Sequence, residues 1–249
     1  QNPYPNLRNL YEISDILVES SSSLIKYLRE IKFFQTFGNF INSVTDPNDR
    51  IAVLQILLNL SRLPTDVCLD LIEGNDLALK FLKAQIFSTI DEIRYLSLKC
   101  LKHFAQDSHL CRFVILFNNL VFDLYSALIG NKNDMKTISL IEKIFTYLLL
   151  EDFSDNDIFL LRKIAFDLID KNFGTNISCR ILCSLSEKEN DIDPEYINNA
   201  QKIIQFLINE RNSKCLKYLM KFFFVRSDFL EEATAFFSNN LFQVLFKIF

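Results

Sequence analysis

The chain has 249 residues, of which 49% are hydrophobic, and its formal net charge is −4. It contains only 4 glycines and 5 prolines, too few for a sheet protein with turns at short intervals, so the composition predicts an all-α fold. Like charges form no continuous block, which argues against a nucleic-acid-binding arm. No apolar run reaches the ~18 residues that a membrane span needs. We expect a cytoplasmic protein that has no membrane segment, and a nuclear location is also compatible with the sequence.

Apolar residues recur at spacings of three and four along most of the chain, which is typical of buried helices. Asp46 and Pro47 predict a helix start, with Asp as the cap and Pro at the first helical position. Pro64 ends this helix, Thr65 opens a short one, and residues 73–75 (Glu-Gly-Asn) interrupt the chain again. Long, mostly buried helices are predicted within IAVLQILLNLSRL (51–63), EIRYLSLKCLKHFA (92–105) and TISLIEKIFTYLLL (137–150).

These long helices repeat at a fixed interval. Asn59, His103 and Tyr147 occupy the same place near their ends, and successive members are 44 residues apart. The break at Gly74-Asn75 recurs 44 residues later as Asn118-Asn119, and Asn239-Asn240 repeats it after a further 121 residues, close to three units. Gly and Asn tolerate the positive φ that a sharp turn between two helices requires. This self-similarity predicts stacked repeats, each with a short, a medium and a long helix.

Particular segments resemble the armadillo repeat family. The stretches LLNLS (57–61), LKHFA (101–105) and LCSLS (182–186) resemble the aLsNLa ending of the third helix in that family. LIEGNDLALKFL (71–82) resembles its junction between the first and second helices. The resemblance implies an all-α fold, a right-handed superhelix (α-solenoid) of armadillo/HEAT-like repeats.

We place the repeats within a single domain that spans residues 1–249. Residues 1–23 are expected to form a capping helix or the end of a preceding unit. The expected units are 24–62, 64–106, 108–151, 155–188, 192–225 and the incomplete 227–249.

In armadillo proteins the third helices line the concave side, and extended partners lie there. The position of Asn59 is, in the peptide-binding members, usually an Asn that grips the partner's backbone. The resemblance extends this position to His103, Tyr147 and Ser184, and less regularly to Lys221. Importin-alpha proteins carry Trp four positions earlier, and because this chain has no Trp, we do not expect a nuclear-import receptor. The Trp positions hold Gln55, Lys99, Lys143, Arg180 and Lys217.

Four of those five residues are basic in a chain of net charge −4. If the third helices face inward, these cations form a row that suits an acidic, extended partner, as in beta-catenin-like grooves. An ordinary solvated helix face, on which lysine and arginine are common, is the alternative interpretation. The predicted partner-binding residues are Asn59, Lys99, His103, Lys143, Tyr147, Arg180, Ser184 and Lys217.

The sequence gives little support to catalysis or to a bound cofactor or metal. Only two histidines occur, and the Gly-rich phosphate loop, HExxH, GxSxG and CxxC patterns are missing, so we expect no enzyme activity. Cys179 and Cys183 lie four residues apart, but the sequence supplies no partner pair for a zinc site. Apolar neighbours at helical spacing predict buried, reduced thiols of an intracellular protein. The cysteines are Cys68, Cys100, Cys111, Cys179, Cys183 and Cys215.

The sequence therefore predicts a non-catalytic protein-binding scaffold or adaptor that holds an extended acidic segment in its groove. The alternative is a regulator of a folded partner, contacted through an end or the convex face, as in armadillo-type chaperone co-factors and cytoskeletal regulators. Nucleic-acid binding is less favoured, because the chain is acidic and its phenylalanines keep core spacing.

The apolar segment NNLFQVLFKIF (239–249) has no third helix after it. We expect the chain to continue, or this end to pack on a partner or on a second copy. An apolar face would otherwise be uncovered, formed by Phe242, Leu245, Phe246 and Phe249.

Overall fold

The structure is a computed structural model that describes residues 12, 14–16, 22–72, 77–189, 191–209, 212–241 and 243. Every regular element within these ranges is an α-helix, so the predicted all-α fold is confirmed. Contacts between residues divide the chain into two compact units, residues 1–151 and 152–249, and each is described by itself. The assignment of a single repeat domain stays a prediction.

The first unit contains consecutive triplets of a short, a medium and a long helix. Its helices are α1 (Ser22–Glu30), α2 (Phe33–Ser43), α3 (Pro47–Leu60), α4 (Thr65–Ile72), α5 (Leu77–Gln85), α6 (Asp91–Asp107), α7 (His109–Phe117), α8 (Leu120–Gly130) and α9 (Met135–Leu148). The long helices α3, α6 and α9 begin at residues 47, 91 and 135. The 44-residue period is therefore confirmed in this unit.

The long helices, which we call the ladder helices of the unit, pack side by side, with α6 in contact with both α3 and α9. Leu54, Leu101 and Phe145 are completely buried in the layer that these helices share with the shorter ones. Asp46 caps α3 as predicted, because its side chain accepts hydrogen bonds from the backbone N–H groups of Asn48 and Asp49. A triplet alone could not cover its apolar side, so each depends on its neighbours.

The described turns between short and medium helices of the first unit contain a left-handed residue, whereas Asn199 between the corresponding helices of the second unit has φ −103°. Asn119 between α7 and α8 has φ 56°, and Asn240 in the second unit has φ 66°, so the positive φ predicted for these breaks is confirmed at the second Asn of each. Asn118 stays right-handed and donates a side-chain hydrogen bond to the carbonyl of Val114 (2.9 Å). Lys32 holds the equivalent turn between α1 and α2 with φ 54°, whereas the Gly74-Asn75 break lies outside the described residues.

This turn also explains one feature of the apolar helices α7 and α8. Within the described ranges, no single helix has the length and apolarity to cross a membrane. The segments His109–Leu116 and Leu120–Gly130 have the required length and apolarity only when they are taken together. They are bent by 77° relative to each other where Asn119 turns the chain.

Asn119 offers a direct test of the turn. Asn119→Val should destabilise the protein by about 1–2 kcal/mol, because a branched Cβ is strained at positive φ. Asn119→Gly removes the same exposed side chain without the strain and should be close to neutral. Urea unfolding followed by circular dichroism measures both changes, and equal stabilities of the Val and Gly variants would contradict the assignment.

The second unit contains α10 (Asp155–Asp170), α11 (Thr175–Lys188), α12 (Pro194–Asn198), α13 (Ala200–Asn209), α14 (Ser213–Arg226) and α15 (Leu230–Ser238). Its ladder helices are α11 and α14, which pack on each other, and α10 packs on α11. The expectation of three helices per repeat is wrong for residues 155–188, where α10 runs for 16 residues without interruption. Residues 159–170 of α10 include no glycine or asparagine, so no residue within the helix favours a break.

A buried ion pair holds the second unit together. The side chains of Arg226 and Glu232 are both completely buried, and Arg226 Nε donates to Glu232 Oε2 at 2.6 Å. The same guanidinium donates to the backbone carbonyls of Glu189 (3.2 Å) and Asp191 (2.7 Å). Glu232 Oε1 also accepts from the backbone N–H of Asp193 at 2.8 Å. The pair therefore fastens α14 and α15 to the chain that follows α11.

Glu232→Gln should destabilise the second unit by about 3–5 kcal/mol, because the buried Arg226 would lose the carboxylate to which it donates and keep only that of Glu189, 3.9 Å away. The double variant Arg226→Met with Glu232→Leu removes both charges and should cost less than the single change. Chemical unfolding of both variants measures the difference. A Glu232→Gln protein more stable than the double variant would refute this account.

Candidate functional site

The ladder helices α6 and α9 bring predicted site residues of the first unit side by side. Arg94 on α6 donates from Nε to Thr137 Oγ1 (3.2 Å) and from Nη2 to Asp134 Oδ2 (2.9 Å) at the start of α9. These contacts join residues 43 and 40 positions apart, and the two packed helices begin 44 residues apart. Lys99 and Lys143 therefore occupy equivalent positions on α6 and α9, as do His103 and Tyr147.

The contacts that fix this register are electrostatically strong. The Thr137 hydroxyl, followed by the Arg94 guanidinium, holds the pKa of the Asp134 carboxyl far below its usual range. Asp134 also caps α9, because it accepts from the backbone N–H groups of Lys136 and Thr137. One carboxylate thus starts α9 and attaches it to α6.

Lys99 and Lys143 are the central cations of the predicted row. Lys143 is exposed, and Lys99 is partly exposed with its Nζ 5.7 Å from the ring centroid of Tyr95 on the same helix. Neither lysine forms an ion pair with any residue in the described ranges. Their positive charges are therefore open to a partner from outside the chain.

A hollow of about 660 Å³ lies between the first halves of α6 and α9, and we call it the α6–α9 hollow. Lys143 lies at one end of it, and Asp91 and Glu92 from the first turn of α6 contribute to the other end. Asp134 and Lys136 at the start of α9 also line the hollow, and its uncharged lining residues are Tyr95, Met135, Ser139 and Leu140.

His103 lies one helical turn after Lys99 and lines a second hollow, of about 380 Å³, at the ends of α3 and α6. Burial, followed by the charges of Lys102, Arg62 and Lys99, lowers the pKa of His103. Asp107 is the acidic residue that lines this hollow. The imidazole is therefore mostly neutral at pH 7, and it can exchange a hydrogen bond with a peptide group.

Asn59 does not fit the role that was predicted for it. Its side chain is buried, and Nδ2 donates to Ser14 Oγ (3.2 Å) and Asp15 Oδ1 (3.1 Å). These acceptors lie 44–45 residues earlier, one repeat before Asn59, in helical residues 14–16. The Asn59 amide is thus used inside the chain, and the assignment of residues 1–23 to a capping helix or to a preceding unit stays a prediction.

The predicted residues of the second unit are more strongly engaged. The Arg180 guanidinium on α11 lies over the ring of Tyr218 on α14, with Cζ 5.0 Å from the centroid, and its Nε approaches Asn176 Oδ1 at 3.4 Å. Ser184, one turn further along α11, is partly exposed, and Lys217 on α14 is exposed. Lys221, the less regular member of the series that begins at Asn59, forms an ion pair with Glu187.

The α6–α9 hollow was not predicted from the sequence. Tyr95 and Ser139 are 44 residues apart, and each precedes a ladder lysine by four residues. The 44-residue period that relates Lys99 to Lys143 also relates Tyr95 to Ser139, one helical turn earlier. It would therefore have predicted equivalent positions for these two side chains. Met135 and Leu140 could not be added from the period, because their contribution depends on how α9 packs.

All six cysteines are buried thiols, as predicted. Burial, with a contribution from Glu187, raises the pKa of Cys183 to about 11, so this thiol stays protonated at neutral pH. In the part of the chain that the structure describes, no group of three or more His, Cys, Asp and Glu side chains could hold a metal ion.

No protein-family model matches the chain, and no curated protein matches its sequence. Solved structures do match. The crystal structure of one engineered protein aligns with a TM-score of 0.69 and 14% identity over 98% of this chain and 61% of that chain. A second engineered protein aligns with a TM-score of 0.59 and 13% identity over 91% and 95%. A designed armadillo repeat protein in complex with the peptide (KR)4 aligns with a TM-score of 0.58 and 12% identity over 88% and 90%.

At these identities the likeness shows the fold alone. The chain has an armadillo-like repeat fold, an α-solenoid, as the LLNLS, LKHFA and LCSLS segments predicted.

The pKa of His103 predicts a dependence of stability on pH. Because burial and then the nearby cations lower this pKa in the folded state, the unfolded chain binds the proton more readily. The stabilising effect is complete above the ordinary pKa of about 6.5 and is lost as the pH falls towards the folded value. His103→Gln should therefore reduce the decrease in melting temperature between about pH 7.5 and about pH 5.5. An equal decrease in both proteins would contradict the assignment.

Proposed function

We propose that the protein is a non-catalytic scaffold or adaptor that binds an extended acidic segment of a partner protein across its ladder helices. The observation that carries the proposal is the pair Lys99 and Lys143. They occupy equivalent positions on packed helices, and they form no ion pair within the described ranges. An acidic segment would supply the missing counter-charges.

His103 and Tyr147 lie one turn beyond the two lysines and are both partly exposed. They offer polar groups to the backbone of a bound segment, while Lys99 and Lys143 attract its carboxylates. Each exposed ion pair contributes on the order of 0–1 kcal/mol. The pair of lysines should therefore act mainly on the association rate and on its dependence on salt.

In the second unit, Arg180, Ser184 and Lys217 repeat the same pattern on α11 and α14, and we propose them as binding residues of that unit. Arg180 is held by Tyr218, so it presents a fixed cation, whereas Lys217 is exposed. We omit Asn59, because Ser14 and Asp15 already accept from its amide.

The designed armadillo repeat protein gives support of a general kind. Its complex with (KR)4 is a case in which this fold holds a peptide. That peptide is basic, so its charge does not transfer to this chain. The preference for an acidic segment is proposed from Lys99 and Lys143 alone, and the cytoplasm is proposed as the compartment because the buried cysteines suit a reducing environment.

A second candidate is contact with a folded partner through the outer helices. Leu110 and Phe113 on α7 are 47% and 58% exposed. Their spacing of three residues places them on one side of the helix. This apolar side of α7 is the binding surface we propose if the ladder helices bind no partner.

Binding of a labelled peptide with alternating Glu and Ser tests the proposal by fluorescence anisotropy. The peptide should bind the protein at low salt and weaken as salt is added, and the corresponding Lys–Ser peptide should bind poorly. Lys99→Glu with Lys143→Glu should weaken the Glu–Ser peptide by roughly tenfold, since two attractions become repulsions.

The matched control is Lys26→Glu with Lys163→Glu, which makes the same change in net charge at exposed positions of α1 and α10. Thermal melts check that all variants fold. If both double variants weaken binding equally, the effect comes from the net charge of the protein and not from this surface. If Lys99→Glu with Lys143→Glu does not weaken binding, the ladder helices are not the binding surface.

A further inference from the structure

The α6–α9 hollow lies directly beside the two ladder lysines. Lys143 lines the hollow itself, and Tyr95 and Ser139 each precede a lysine by four residues, one turn or about 6 Å along the helix. The two ladder helices therefore present two parallel rows, one of Lys99 and Lys143 and one of Tyr95 and Ser139. A segment that crosses both helices can contact the two rows at the same time.

The lining of the hollow exposes apolar surface. Met135 is 73% exposed and Tyr95 is 36% exposed, while Leu140 is 8% exposed beneath them. Apolar side chains that line a concave site together with a few polar groups are typical of binding pockets. The exposed hydroxyl-bearing Ser139 leaves space between these side chains.

The charges at the two ends of the hollow also restrict what enters it. Asp91 and Glu92 are exposed at one end, where the ionised carboxyl of Asp134 and the ammonium of Lys136 also line the hollow, so three carboxylates outnumber one cation there. A carboxylate from the partner would be repelled there, whereas it would be attracted at Lys143. The hollow therefore disfavours acidic side chains although the neighbouring row favours them.

An extended segment satisfies both rows through its own geometry. Successive side chains point to opposite sides of an extended chain, and residues i and i+2 lie about 6.6–6.8 Å apart on the same side. Packed helices are separated by about 8–10 Å. A segment that runs between the rows thus directs alternate side chains to the lysines and to the hollow.

We propose that the partner segment alternates acidic and large apolar residues, with one apolar side chain seated in the α6–α9 hollow and its acidic neighbours on Lys99 and Lys143. This inference rests on the proposed function and specifies the partner of that surface. The apolar side chain packs against Tyr95, Met135 and Leu140, and the acidic side chains provide the counter-charges.

Two labelled peptides of equal length and charge test the pattern, one alternating Glu and Ser and the other with a central Ser replaced by Leu. The protein should bind the Leu peptide about tenfold more tightly, the effect of burying most of one leucine side chain. Ser139→Trp fills the hollow and should abolish this advantage. Met135→Ser, which removes apolar lining at an exposed position, should reduce it about threefold.

The control is Ser43→Trp, which places the same ring at an exposed position at the end of α2 and should preserve the tenfold advantage. If the two peptides bind wild-type protein equally, or if neither hollow variant changes their ratio, the alternating pattern is overturned. Binding of the Glu–Ser peptide that still depends on Lys99 and Lys143 would leave the proposed function standing. Absence of binding by either peptide would overturn both.

Discussion

The contact between one ladder helix and the next is the interaction on which the first unit depends. Because each helix triplet leaves an apolar side uncovered, α6 must lie against both α3 and α9. Arg94 fixes the register of the second contact through Thr137 and Asp134. Lys99 and Lys143 are 44 residues apart in sequence, and this packing places them at equivalent positions on two adjoining helices. The proposed site is therefore a direct consequence of the way the repeats stack.

The sequence predicted best the features that depend on local chemistry. The Asp46 cap and the left-handed turn at Asn119 follow from properties of the residues themselves, and their recurrence revealed the period. Prediction failed where a partner is remote or a signal is missing. Asn59 looked like an open groove residue because Ser14 and Asp15, its acceptors, lie a whole repeat away. The chain at 155–188 was expected to break as its predecessors do, yet α10 contains no residue that would interrupt it.

The second unit shows why buried charge escaped the sequence analysis. Arg226 and Glu232 lie in a segment rich in charges, VRSDFLEE (225–232), which resembles a solvated turn between helices. Both side chains are nevertheless completely buried. The acceptors that make this tolerable are the backbone carbonyls of residues 189 and 191, and no side-chain pattern marks them. A buried charge of this kind is recognisable only after the chain around it has been placed.

The treatment of charge elsewhere in the first unit explains why the ladder lysines point to a partner. Arg29 pairs with Asp66 and Asp70, Lys83 pairs with Asp123, and Arg112 pairs with Glu151. The pairs of Arg29 and Lys83 join one repeat to the next, whereas Arg112 and Glu151 lie within one repeat. The chain thus uses carboxylates to neutralise cations at its repeat contacts. Lys99 and Lys143 have no such carboxylate in the described ranges, although they lie on helices that pack on each other. An acidic segment bound across α6 and α9 would supply carboxylates to these two lysines. The ion pairs would then form between two molecules, whereas the other repeat contacts form them within the chain.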